Sequence, residues 1–374
     1  MPLLIAALLL AAPQATWTVE PHPQWTGVFD RSSGWTGADG IYSIPLNGDD
    51  RRGSLAASFF VFSDTFIGDV DPQGHRLSGT TLVNNTVAFL PAGVGPAPGR
   101  IIFDWGTVNG SPAAVFRPAT PNTQPGDFYW MKDGVAIDGQ LHLFAGRFNS
   151  DPPPFSRHGV CLISIPLTDR PPFPRAQQRD TPFWRPETPI RGQLALGGAV
   201  LENTVEAGAP HPDGFVYVYG VQEDALSKKA IVSRVPRADF ANFAAWRFWD
   251  GAGWSGDFED SRPVAGRIST EMSVTPLADG RYLMVFMLDT ISRKIAVRSA
   301  PAPQGPWGDF TVIYDIPVPS NPPGLFTYHA KAHPHLSDPG ELLISFNVNT
   351  SGSFWDHFTY ADIYRPRFVR LILQ

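Results

Sequence analysis

Apolar residues recur along this chain in short runs of four to ten, separated by clusters of Gly, Pro, Asn and Asp, with no sustained helical period between them. The first group is Ile41 to Leu46, Leu55 to Phe62, Val83 to Leu90 and Ile101 to Trp105. In the second, Tyr129 to Ile137 and Leu141 to Phe148 flank Asp138-Gly139, a strong hairpin signal, and Val160 to Leu167 follows. The Pro-rich stretch from Pro171 to Pro189 is unsuited to a central strand. A third group holds Ala199 to Val205, Phe215 to Gly220, Ala230 to Val235 and Ala245 to Trp249. The fourth has Ser269 to Thr275, Tyr282 to Leu288, Ile295 to Ser299 and Phe310 to Tyr314. The last runs Thr327 to Leu336, Leu342 to Val348 and Phe368 to Leu373, and Trp17 to Phe29 reads as an irregular or edge strand.

Five sets of three or four strands predict an all-β chain and a radial repeat, a five-bladed β-propeller with about four antiparallel strands per blade. A pair of β-sandwiches would account for the strands but not for the recurrent order within each set. In a propeller blade the start of the first strand and the end of the second meet at one rim of the axial funnel. That geometry brings Asp39 beside Asp64, Lys132 and Asp133 beside Arg147, and Glu202 and Asn203 beside Gln222 and Glu223. It also brings Glu271 to Asp289, and His329, Lys331 and His333 to Asn347 and Asn349. Ionised groups at such points are hard to assign to core packing. An Asp after a strand, as at Asp64 and Asp289, also suits a turn in which it accepts from backbone amides.

Carboxylates gathered beside Lys and Arg suit glycoside cleavage, in which one acid donates a proton and another stays ionised. Asp39, Asp64, Glu271 and Glu202 are the candidate catalytic acids. Trp35, Asp133, Arg147, Gln222, Asp289, Tyr328, His329, Lys331, His333 and Asn347 are the candidate substrate contacts. Trp35, Trp130, Tyr328 and Trp355 lie near strand ends, where aromatic faces would meet sugar C–H surfaces. His329 and His333 are open to two readings, a metal pair or donors to substrate; two histidines without a third ligand favour donors, so no metal and no cofactor is expected.

The rest of the composition narrows the class. The chain has 374 residues, 43% hydrophobic and 12% aromatic, enough for a large core in one domain. A formal charge of −6 gives no basic footprint for nucleic acid. Leu3 to Ala12 is nearly all apolar and precedes Pro13-Gln14-Ala15, a pattern read as a signal peptide over residues 1–15 although no Lys or Arg precedes it. Residues 16–374 then form the domain of a secreted or periplasmic monomer. The apolar run is too short to span a bilayer, which needs about 20 residues. The lone Cys161 allows no internal disulfide. No phosphate loop, CxxC pair or nucleophile elbow is present.

Trp35-Thr36-Gly37-Ala38-Asp39-Gly40 with Phe62-Ser63-Asp64-Thr65-Phe66, and Tyr328 to Pro334 with Ile344-Ser345-Phe346-Asn347, resemble secreted five-bladed propellers of the glycoside-hydrolase-like type. Many of these are domains of unknown function, and some relatives cleave arabinofurans. The resemblance implies an axial sugar site with Asp39 and Asp64 as leading acids, then Glu271 and Glu202. The wider five-bladed hydrolases take acids from the first three blades, and Lys132-Asp133 is a poor match for the second. The expectation is a hydrolase of a furanose-containing or related polysaccharide. Its alternatives are a non-catalytic carbohydrate-binding propeller and a partner-binding surface protein.

Overall fold

The computed structural model describes residues 17–151, 155–224, 227–320 and 322–373. The apolar leader read over residues 1–15 lies outside them. Among the described residues the chain is nearly all β, and no helix is long and apolar enough to cross a membrane.

Five antiparallel sheets of four or more strands follow one another along the chain. Their first long strands are Tyr42–Pro45, Phe128–Ile137, Gln193–Asn203, Met272–Pro276 and Leu325–Ala332. Each pairs with the next strand in sequence: Ser58–Phe62, Gln140–Asn149, Phe215–Asp224, Tyr282–Met287 and Glu341–Thr350. The second sheet turns at Asp138 and Gly139, both at positive φ (50° and 78°), as a two-residue Asp-Gly turn requires. Of the edge strand expected over Trp17 to Phe29, Thr18–Pro21 pairs with Arg367–Ile372 and completes the fifth sheet from the opposite end of the chain, whereas Pro23–Val28 is a short helix begun by its proline.

The strands are apolar on both faces because each sheet is covered on both. In Tyr282–Met287, Tyr282, Met284 and Phe286 enter the core shared with the third sheet, while Leu283, Val285 and Met287 enter the core shared with the fifth. Period-2 alternation is therefore masked as a continuous hydrophobic run. Similar cores lie between the first and second sheets and between the second and third. Trp25, Phe29, Trp35, Phe60 and Phe62 pack with Leu343 and Phe368 between the fifth sheet and the first. The five first strands also line a common small chamber of about 40 Å³, with Ser43, Asp133, Val200, Ser273 and Lys331 each from a different sheet.

Three of these first strands break their ladders at the same level. Register shifts fall between Met131 and Gly134, between Leu196 and Ala199, and between Tyr328 and Lys331. In the first sheet the equivalent break is Asp39-Gly40-Ile41, between Ser33–Ala38 and Tyr42–Pro45. A β-bulge re-aims side chains, so these breaks decide which residues leave the sheet for the interior. At the third sheet the bulge is Gly197-Gly198, where a Cβ on Gly198 would stand 2.6 Å from the carbonyl oxygen of Thr270. That strand passes its neighbour too closely to carry a side chain there.

Candidate active site

Above the small chamber lies a cavity of about 710 Å³, walled by residues from all five sheets. Asp39, Asp64, Glu271, Tyr328 and His329 meet on it, as the strand-end geometry predicts. Asp39 and Asp64 face each other across one hairpin: the Asp39 N–H donates to the Asp64 carbonyl (3.2 Å) and the Ser63 N–H to the Asp39 carbonyl (2.8 Å). Gly40 allows this turn through a φ of 62°, and a Cβ there would meet the Ser63 hydroxyl at 2.6 Å.

The three carboxyls sit in different electrostatic settings. Asp39 Oδ2 accepts from the hydroxyls of Tyr328 (2.8 Å) and Tyr364 (2.9 Å), while Oδ1 is buried without a partner. Burial raises its pKa against the opposing pull of His329 and both tyrosines. Asp64 Oδ1 accepts from Trp130 Nε1 (2.8 Å) and Asn84 Nδ2 (3.2 Å). Burial, joined by the charge of Asp39, pushes Asp64 up to about 7. Glu271 Oε2 lies 3.0 Å from His329 Nε2. The Gly40 N–H faces His329 Nδ1 (3.2 Å), and Nε2 is the ring nitrogen turned to Glu271. Burial alone would raise Glu271, but the electrostatic pull and hydrogen bond of His329, then Lys132 and Lys228, bring it down to about 2. The cavity thus holds one carboxyl poised to keep a proton and another held ionised.

Basic and aromatic side chains line the rest of the cavity. Arg157 and Lys228 both reach Glu223, at 2.9 and 2.7 Å, and Lys132 stands beside them. Trp130 packs against Phe148 (4.5 Å between ring centroids) and Phe155 (4.8 Å), and Trp184 and Phe326 extend the apolar surface.

The other candidates lie off this cavity. Glu202 is displaced because its strand begins at Gln193, earlier than the apolar run suggested; it therefore sits near the far end, bonded to Arg237 (2.7 Å) and Thr204 (2.9 Å). Asp133 and Lys331 pair at 2.7 Å in the small chamber below. His333 is buried between the hydroxyls of Ser43 (2.7 Å) and Ser345 (2.8 Å), so it shares no site with His329. Asn347 donates to the Ala38 carbonyl (2.9 Å) and ties the fifth sheet to the first. Arg147 turns outward to Asp127 (3.3 Å) and Asp180 (2.5 Å). Gln222 donates to Asp224 (2.9 Å), and exposed Asp289 is held by Arg267 (2.6 Å). Trp35 is fully buried against Phe62 and Phe103, a core residue rather than a sugar platform, and Trp355 is exposed away from the cavity.

Tyr364, Arg157, Lys228 and Trp184 were not anticipated. Tyr364 lies in a C-terminal loop at φ 76°, outside any alternating pattern. Arg157 and Lys228 lie near the starts of third strands, which the hairpin geometry of first and second strands does not bring to the funnel. The adjacent charges Lys132-Asp133 within an apolar strand were the one available sign of the bulge there.

Residues 22–372 match the model of a domain of unknown function, DUF5005. No curated protein matches the chain in sequence. Among solved structures, a Bacteroides ovatus protein provisionally described as a hydrolase is similar over 99% of this chain and 96% of its own, with 21% identity and a TM-score of 0.74. An α-L-arabinofuranosidase from Podospora anserina, solved with cellotriose, is similar over 95% of this chain and 96% of its own, with 12% identity and a TM-score of 0.50. These likenesses concern the fold.

Proposed function

The chain belongs to the DUF5005 family, and from that premise we propose that it is a secreted glycoside hydrolase on a five-bladed propeller, cleaving a furanose-containing or related polysaccharide. The observation that carries this reading is the meeting of Asp39, Asp64 and Glu271 on one aromatic-walled cavity, where burial raises Asp64 while His329, bonded to Glu271, pulls that carboxyl down. Fold likeness to an arabinofuranosidase supports it.

In this mechanism Asp64, still protonated near neutral pH, donates its proton to the glycosidic oxygen as that bond breaks. Glu271, ionised and steadied by His329, attacks the anomeric carbon or takes a proton from water that does so. Asp39 couples to Asp64: a negative charge on either carboxyl disfavours ionisation of the other, so the pair retains one proton. Trp130 holds Asp64 in place through its indole N–H and offers a ring beside the bond to be cleaved.

The test is release of reducing sugar from arabinose- and xylose-bearing polysaccharides. Asp64→Asn and Glu271→Gln should each lower the rate by about 10³-fold or more, beyond the roughly 10²–10⁴-fold contribution of general acid–base catalysis at its low end. Unchanged rates in both variants would remove the assignment. One observation favours a binding-only propeller: the second sheet sends Lys132, not an acid, into the cavity. Saturable glycan binding without any product over long incubation would decide for that reading.

A further inference from the structure

Lys132, Arg157 and Lys228 line one part of the cavity, where Glu223 is the carboxylate that Arg157 and Lys228 contact. The bulge between Met131 and Gly134 sends Lys132 into the large cavity and Asp133 into the chamber below. Lys132 is only 5% exposed, yet among the described residues it makes no ion pair or hydrogen bond. Its neighbours Arg157 and Lys228 share the single carboxylate of Glu223, and their other polar contacts are neutral: Gln193 at 3.0 Å and Thr270 at 2.6 Å. Three cations thus face one contacting anion. Glu187 stands exposed at the rim, and Glu271, hydrogen-bonded to His329, also feels the charges of Lys132 and Lys228. Lys132 adds a third positive charge at the cavity surface beside Arg157 and Lys228, and an anion entering the cavity would give its ammonium a partner.

We propose that Lys132, flanked by Arg157 and Lys228, forms a subsite for an anionic substituent on the substrate sugar, a uronate carboxylate or a sulfate ester. The proposal rests on the glycan reading above but not on catalysis. An anionic group seated at Lys132 would lie in the same cavity as Asp39, Asp64 and Glu271, so a sugar bearing it would bring its glycosidic bond toward the acids. Electrostatic discrimination of this kind rejects neutral analogues because they leave the lysine unpaired.

The experiment is calorimetric titration of the Asp64→Asn protein, in which cleavage is suppressed, at neutral pH. The probes are glucuronate- and galacturonate-bearing oligosaccharides with their carboxyl-reduced counterparts, and a sulfated oligosaccharide with its desulfated form. At least one anionic probe should bind ten-fold or more tightly than its neutral counterpart, and the arm that does so identifies the substituent. Adding Lys132→Gln should bring that preference to within two-fold, and Lys132→Arg should keep most of it. Equal binding of every charged and neutral pair, or a preference that survives Lys132→Gln, overturns the subsite. A Lys132-dependent preference in a protein that hydrolyses nothing would uphold it while ending the hydrolase reading. Hydrolysis of neutral glycosides without such a preference would do the reverse.

Discussion

Lys331 and Lys132 are both 5% exposed, both on first strands near the centre of the molecule, and in opposite circumstances. Lys331 meets Asp133 at 2.7 Å, and its ammonium lies 4.8 Å from the centre of the Tyr42 ring. Asp133 is further held by the N–H groups of Val200 (2.8 Å) and Gly134 (3.0 Å), in a chamber of about 40 Å³. Lys132, one residue from Asp133, has no such partner and opens on about 710 Å³. The same residue type at the same burial is a structural clasp in one place and, in the proposed subsite, a binding group in the other. A satisfied buried charge holds sheets together, and an unsatisfied one beside a cavity marks where a ligand belongs.

The largest expected effect comes from breaking the clasp. Asp133→Asn leaves the Lys331 ammonium buried against a neutral amide and should cost about 3–5 kcal/mol in chemical denaturation. The double replacement Asp133→Leu with Lys331→Met should recover most of that loss, because it removes both charges. If Asp133→Asn costs no stability, the clasp is not structural.

A smaller effect separates the acids by pH. The folded-state pKa of Asp64, about 7, lies above its unfolded value. The folded chain therefore keeps a proton that the unfolded chain releases, and this contribution to stability falls from about pH 4, the ordinary carboxylate range, up to 7. Asp64→Asn should flatten the decline of Tm across that window. Glu271 has the opposite sign: its contribution is present above the ordinary range and is lost as pH falls toward about 2. Glu271→Gln should thus reduce stability at neutral pH and lose less on acidification. Identical pH–Tm curves for wild type and Asp64→Asn would contradict the raised value.

The smallest effect belongs to Lys132. Burial, then the charge of Arg157, lower its pKa to about 8, so keeping it charged at neutral pH opposes folding. Lys132→Gln should leave Tm equal or slightly higher, the reverse of Asp133→Asn. A marked loss of stability would place Lys132 with Lys331 as a structural cation.

Much of the fold was legible because strand pairing and inter-sheet packing use local signals. Asp138-Gly139 announced its hairpin, and the run Tyr282 to Leu288 announced a strand, which the structure covers on both faces. That Asp39, Asp64, Glu271, Tyr328 and His329 meet on one cavity was legible because they lie near strand ends or breaks at one rim. Glu202 was misplaced because the Gly197-Gly198 bulge lies inside a strand whose early part looks like loop, and a six-residue error in its start moves a side chain to the opposite end. Lys331 and Asp133 carry the same charges a site would carry, and no local pattern reveals that they meet each other.

By itself the sequence determined the all-β class, the order of the strand groups and the carboxylates opposed across the first hairpin, since hydrophobic period and turn chemistry act over a few residues. Only the tertiary structure decided which charges are satisfied. Whether Lys132 or Lys331 finds a carboxylate depends on a bulge that turns neighbouring side chains to opposite sides, and on strands nearly 200 positions apart meeting at one chamber. Coulomb energy and desolvation depend on those three-dimensional separations, which spacing along the chain does not encode.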